Sequence, residues 1–271
     1  MAVTQNPQHS ARPPDGTQHS VSWGPTLRMV LLTGLGAMLV VKVLRGGVLL
    51  YVNGVYTRLI LAAGITLVVL GYIAGLRWLT RRDARPARHL HAGGDHTHAT
   101  GRVEAAGYAL LAVPLLLGLL VPARPLGSAA LDARGNGGGQ AVPSSRLKTL
   151  TDLGNDSSRW TLLDWTAVII QTPDVRTLNG KPIAVTGFAA PGEGGFGAGY
   201  FTVARFVIVC CTADGNAVTL PVKWDAPPAR DTWVQVMGKL AIGTVNGKAT
   251  PYIAASTLQT IPQPSQPYLY P

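Results

Sequence analysis

Three stretches of the chain are apolar and lack a polar face. Residues 27–44 (LRMVLLTGLGAMLVVKVL) carry only Arg28 near the start and Lys42 near the end. Residues 59–76 lie uncharged between Arg58 and Arg77, and residues 105–123 lie uncharged between Glu104 and Arg124. A helix needs about 20 mostly apolar residues to cross a bilayer core, and each stretch is near that length. A helix on the surface of a soluble bundle would keep a polar stripe. The pattern therefore predicts three transmembrane helices, with Lys42 and Arg58 snorkelling to the interface. The first is not read as a cleavable signal peptide. A polar tail rich in Pro, Gln and His precedes it, and no small-residue cleavage site follows directly.

Beyond the third stretch the pattern changes. Residues 124–158 are rich in Gly, Ser and Ala and show no period, as a linker does. Over 160–171 (WTLLDWTAVIIQ), Leu162, Trp165 and Ile169 share one helical face. Thr161 with Asp164 three residues on resembles a capping box. Five β-branched or aromatic runs follow, at 182–189, 200–211, 217–224, 233–242 and 249–258, bounded by Gly, Asn, Asp and Pro. Asn246-Gly247 predicts a hairpin between the last two, and Asp214-Gly215 a tight turn between the second and third. The expected fold is a membrane α-helical anchor of three transmembrane helices plus a small, mostly-β domain. That domain is an OB-like barrel with one short helix before it, with a sandwich as the second choice. The expected domains are a tail (1–25), a transmembrane region (26–123) with a His/Arg-rich loop (80–102), a linker (124–158) and a soluble domain (159–271).

Charge sets the expected orientation. Only 13% of residues are charged, about half the share in an ordinary soluble domain. The net charge is +10. Residues 1–150 hold 15 basic and 5 acidic side chains, and residues 151–271 hold 8 of each. The excess therefore sits in the apolar half, and the neutral β half gives no signal for nucleic acid. Arg77, Arg81, Arg82, Arg85, Arg88 and Arg102 cluster between the second and third stretches. Positive loops stay inside, which predicts a multi-pass protein of the cell membrane. Its N-terminus is then cytoplasmic and its C-terminal domain extracytoplasmic.

Candidate chemistry is confined to a few residues. Cys210 and Cys211 are the only cysteines, too few for a disulfide scaffold. Adjacent strand residues point to opposite faces, so the pair can share a ligand only if the strand ends there. Three readings stay open: one core and one incidental cysteine, a metal-binding or redox-sensitive thiol pair, or a vicinal disulfide. Asp214 is an oxygen ligand or a turn residue. His89, His91, His96 and His98 form a tract with Asp95 inside, which binds a metal weakly or is simply a polar loop. Glu193 tips a Gly-rich loop that lacks the residues of a phosphate loop. Arg205 lies among apolar neighbours and is expected to pair with Asp214 or Asp231. Residues 151–271 contain no His, so no Ser-His-Asp triad can be drawn, and no enzyme is expected.

The stretch FTVARFVIVCCTADGNAVTLPV, with DTWVQVMGKL and the ending PSQPYLYP, resembles a bacterial two-component permease subunit family, YcgQ-like. Its members are uncharacterised membrane proteins with a hydrophobic N-terminal region and a soluble C-terminal domain. Arg205, Cys210, Cys211, Ala213, Asp214 and Trp233 carry the likeness. The resemblance implies an accessory subunit in the lipid bilayer, working with a larger polytopic permease. The solute and any cofactor stay unknown, with a metal such as zinc suggested by the Cys and His residues. The alternative is a stand-alone metal-sensing or redox-active membrane protein.

Overall fold

The structure, a computed structural model, describes residues 24–82, 100–134, 156–190, 192 and 194–271. Glu193 and the expected metal ligands His89, His91, His96 and His98 lie outside these residues.

The apolar stretches form α1 (Gly24–Leu44), α2 (Thr57–Arg82) and α3 (Thr100–Leu120). Two helical segments are long and apolar enough to cross a membrane, Thr26–Leu44 and Gly54–Thr80. The third expected span gives a shorter apolar segment, Ala106–Leu120, with Pro114 inside the helix. Small residues let α1 and α2 pack closely. A Cβ added at Gly36 would lie 2.6 Å from the Gly64 carbonyl, and one at Gly75 would meet the Met29 sulfur at the same distance. In lipid, such close backbone approach replaces the hydrophobic effect as the source of helix association. α3 lies beside α1: Gly34 abuts Leu115, Gly118 abuts Met38, and the Arg28 guanidinium sits 5.6 Å from the Tyr108 ring centre. Both series rise in sequence together, so α3 runs parallel to α1.

A short helix, α4 (Ser128–Arg134), follows. The Asp231 carboxylate accepts the Ser128 N–H at 2.6 Å, and Arg230 pairs with Asp132. These contacts hold α4 to the β domain, where Leu131 is buried.

α5 (Leu162–Gln171) opens on the predicted capping box. Thr161 Oγ1 accepts the Asp164 N–H, and the Asp164 carboxylate accepts the Thr161 N–H at 2.8 Å. Together they satisfy donors that a helix start leaves free. The strands are β1 (Pro182–Ala190), β2 (Tyr200–Val207), β3 (Asn216–Lys223), β4 (Trp233–Val245) and β5 (Lys248–Thr260). They form one sheet, closed in the order β1-β2-β3-β5-β4. β4 pairs with both β5 and β1, and the β3–β5 contact is parallel. Asn246 (φ 50°) and Gly247 (φ 76°) make the predicted hairpin turn, with the two positive φ values that match strand twist.

Alternate residues such as Val185, Val203, Leu220, Val236 and Ile253 fill the interior, and α5 joins that core through the fully buried Trp165 and Val168. A second cluster lies outside the barrel. Phe188, Phe206, Ile208 and Trp233 are covered there by Leu131 of α4 and Tyr268 of the C-terminal tail.

The largest departure from the expected strands is the end of β2, which stops at Val207 instead of Cys211. The Asp214 carboxylate takes the N–H groups of Val209, Cys210 and Cys211 out of the ladder. Asp and Asn side chains compete with sheets for backbone donors in this way.

Candidate metal centre

The end of β2 places both cysteines on a corner that strand alternation no longer governs. A 3-10 turn, Thr212–Asp214, follows and brings Asp214 back beneath the chain. Its Oδ1 accepts the Val209 N–H at 2.7 Å. Its Oδ2 accepts the Cys210 N–H at 2.7 Å, the Cys211 N–H at 3.1 Å and the Cys210 thiol at 2.7 Å. The two sulfurs stand 3.7 Å apart, and both cysteines are free thiols, Cys210 exposed and Cys211 half-buried. The two sulfurs and a carboxylate oxygen lie within 4.8 Å of one another.

Burial pushes the Asp214 carboxyl up, but the Cys210 thiol and the three backbone donors outweigh it and hold its pKa down at about 2. The same hydrogen bond acts the opposite way on the thiol. Donation to Asp214, then contact with the Cys211 thiol, pushes Cys210 up to about 11. The corner at rest is thus a thiol held against a carboxylate.

A segment from the other domain grips this corner. The loop between α1 and α2 lies antiparallel to it, with Val52 opposite Cys211. The Asn53 N–H donates to the Cys210 carbonyl at 3.0 Å and Asn53 Nδ2 to the Val209 carbonyl at 2.9 Å. The Thr212 N–H donates to the Tyr51 carbonyl at 2.8 Å. The C-terminal tail ties the same region together. Leu269 accepts from the Ile208 N–H and donates to the Phe206 carbonyl. The Tyr268 hydroxyl donates to the Leu50 carbonyl and accepts the Leu126 N–H, each at 2.9 Å.

The structure gathers Cys210, Cys211 and Asp214, with Ala213 exposed in the turn between them. Arg205 and Trp233 are elsewhere, and the expected acid partner for Arg205 is not found. Its Nε donates to the Pro267 carbonyl at 3.0 Å and Nη2 to the Gln266 carbonyl at 2.7 Å. Its guanidinium lies 5.7 Å from the Trp233 ring centre. Burial lowers its pKa, opposed by Tyr270. Backbone carbonyls and an aromatic face satisfy this cation, and Arg205 pins the tail. Asp231, one of the expected partners, instead caps α4. Asn53 and Tyr268 were not read as site residues from sequence. The only signals were the Asn-Gly pair in a short loop between two apolar stretches and the aromatic ending PYLYP.

Two family models match the chain: the DUF1980 N-terminal domain over residues 27–137 and the DUF1980 C-terminal domain over residues 161–271. The first takes in the three apolar helices and α4, and the second the barrel with α5. No curated protein and no solved structure matches the chain. The chain therefore carries both domains of the DUF1980 family, an uncharacterised family.

Proposed function

For this chain of two DUF1980 domains, we propose the role of an accessory subunit in a membrane permease complex. Three spans hold it in the cell membrane and present an OB-like barrel at the outer surface. The observation that carries this reading is the hydrogen-bonded grip of the α1–α2 loop on the Cys210–Cys211 corner. It ties the barrel to the loop where α1 turns back into α2.

The grip also supports the third span. The α1–α2 loop lies on one side of the membrane and the end of α2 on the other. The chain must return before it reaches the barrel, and α3 is the element that does so. Its 21 residues rise about 31 Å, of which the apolar Ala106–Leu120 makes up about 22 Å, and it runs parallel to α1. Lipid contact for α1 and α2 is supported by their low burial: only 11% and 17% of their apolar windows are inside the structure. A core helix of a soluble protein would be mostly buried. The arginines between α2 and α3 favour the cytoplasm for that connection, which puts the barrel and its cysteines outside.

The OB-like reading rests on five strands closed in the order β1-β2-β3-β5-β4 and on a helix that closes the core. Here that helix precedes β1. The barrel half is electrically neutral, which speaks against the basic groove of a single-strand binder. Three helices with no acid in mid-span make no transport path of their own, so the permeation route belongs to a larger polytopic partner.

Affinity purification of the tagged full chain from its native membrane tests this. Recovery with a polytopic membrane protein supports it, and recovery alone overturns it.

A further inference from the structure

We infer that Cys210 and Cys211 form an open, two-thiolate seat for a borderline or soft divalent cation such as zinc, with Asp214 as a positioning residue and not a ligand. The inference goes beyond the accessory-subunit reading and rests on it only for what completes the coordination.

Two thiolates on one tetrahedral zinc, each at about 2.3 Å, stand about 3.8 Å apart. The observed separation is 3.7 Å. Side chains of an extended strand would diverge, but β2 has already ended, and the corner brings both sulfurs to one side. An ion therefore meets two sulfurs already at ligand spacing. Each thiol gives its proton to solvent as the ion arrives.

The Asp214 carboxylate is engaged before any ion arrives. Its two oxygens already accept three backbone N–H groups and the Cys210 thiol. Those backbone bonds hold the corner that keeps the sulfurs together. When the thiol proton leaves, Cys210 and Asp214 are both anionic, so the sulfur moves off its 2.7 Å contact with the carboxylate and toward the ion, while Asp214 keeps its backbone donors and adds negative charge beside the site. Its place is that of the outer groups that orient metal ligands.

Among the described residues no other His, Cys, Asp or Glu joins this cluster. Structural zinc sites use four protein ligands and catalytic ones three. Two thiolates, one of them exposed, leave two positions for water or for a donor from a second molecule. Such a seat suits transfer of an ion better than permanent storage. Thiolates also select against magnesium and calcium, which prefer oxygen.

The test uses the reduced full chain in detergent micelles, with Co²⁺ as the spectroscopic probe. The expected result is one equivalent of Co²⁺ with the charge-transfer absorption of two thiolates, displaced by Zn²⁺ and untouched by millimolar Mg²⁺. Cys210→Ser and Cys211→Ser should each halve that absorption. Asp214→Asn should keep both the full thiolate absorption and the wild-type ligand-field bands at saturation, while binding falls about tenfold or more. Added imidazole should shift the ligand-field bands, because the site is open. Circular dichroism of each variant separates loss of the site from loss of the barrel.

No thiolate absorption in a folded, reduced wild-type chain overturns the inference. Bands that imidazole leaves unchanged overturn the open seat. Ligand-field bands that change at saturation in a folded Asp214→Asn chain, with the two-thiolate absorption intact, overturn the positioning role, because they mark a lost oxygen ligand. A two-thiolate band in a chain that purifies without a polytopic partner leaves this inference standing while the permease reading fails. Co-purification without the band does the reverse.

Discussion

The barrel interior and the cysteine corner are held by different forces. The interior is apolar burial: Trp165, Val203, Val234, Val236, Leu240 and Ile253 are fully buried among themselves. The corner is hydrogen bonding among distant segments, namely the α1–α2 loop, the end of β2, the turn at Asp214 and the C-terminal tail. Burial gives a stiff scaffold that specifies little chemistry. A net of backbone bonds, each worth about 1 kcal/mol, gives a corner that can open or shift while the barrel stays folded. That difference suits a site that takes up and releases a ligand.

The comparison can be broken with substitutions on each side. Trp165→Ala has the largest expected effect. It empties a fully buried position where α5 meets the barrel, and large-to-small changes of this kind cost about 3–5 kcal/mol. Thermal unfolding of the full chain in detergent should show a much lower barrel transition.

Asp214→Ala should act locally. It leaves three backbone N–H groups without their acceptor, at a cost of about 1–3 kcal/mol. The corner is half exposed, so water recovers part of that. Hydrogen exchange should rise over residues 208–212 while the barrel transition moves little. A shift as large as that of Trp165→Ala would merge the two regions into one cooperative unit.

Asn53→Ala comes next, at about 1 kcal/mol for its side-chain bond to Val209. Exchange should rise at the corner and in the α1–α2 loop together, because the two protect one another.

Acid supplies the smallest effect. The folded Asp214 pKa of about 2 lies below the ordinary carboxyl value. The contribution of Asp214 is therefore complete above the unfolded value and fades as the pH falls through the folded one. In the metal-free chain, the amide proton shifts of Val209 and Cys210 should titrate with a midpoint near 2. A midpoint at the ordinary carboxyl value would mean that Asp214 does not hold the corner.

The interior was largely legible in the sequence. Of the corner, Cys210, Cys211, Asp214 and the turn after them were legible, and the segments that hold them were not. β1, β2 and β4 begin where the alternation predicted, and Asn246-Gly247 and the Thr161–Asp164 box were found, because these are local features a few residues long. The end of β2 was misplaced because its pattern, RFVIVCC, continues past Val207, while the deciding group is a carboxylate three residues beyond Cys211. Arg205 was assigned an acid because a buried cation needs a partner. Its partners are backbone carbonyls about sixty residues away, which no periodicity reports. The hold of Asn53 on Val209 and Cys210 joins two domains across more than 150 residues, and nothing in either segment announces the other.

The central claim is that the α1–α2 loop and the cysteine corner form one unit on one side of the membrane. Val52 and Cys211 are directly opposed in an antiparallel bridge. The flanking bonds from Asn53 to Cys210 and from Thr212 to Tyr51 make it the non-hydrogen-bonded kind of pair, whose side chains lie closest. In a Val52→Cys chain that also carries Cys210→Ser, mild oxidation in intact membranes should join position 52 to Cys211 rapidly and within one chain. Failure of the pair to join, with both thiols still open to a small thiol reagent, would contradict the account.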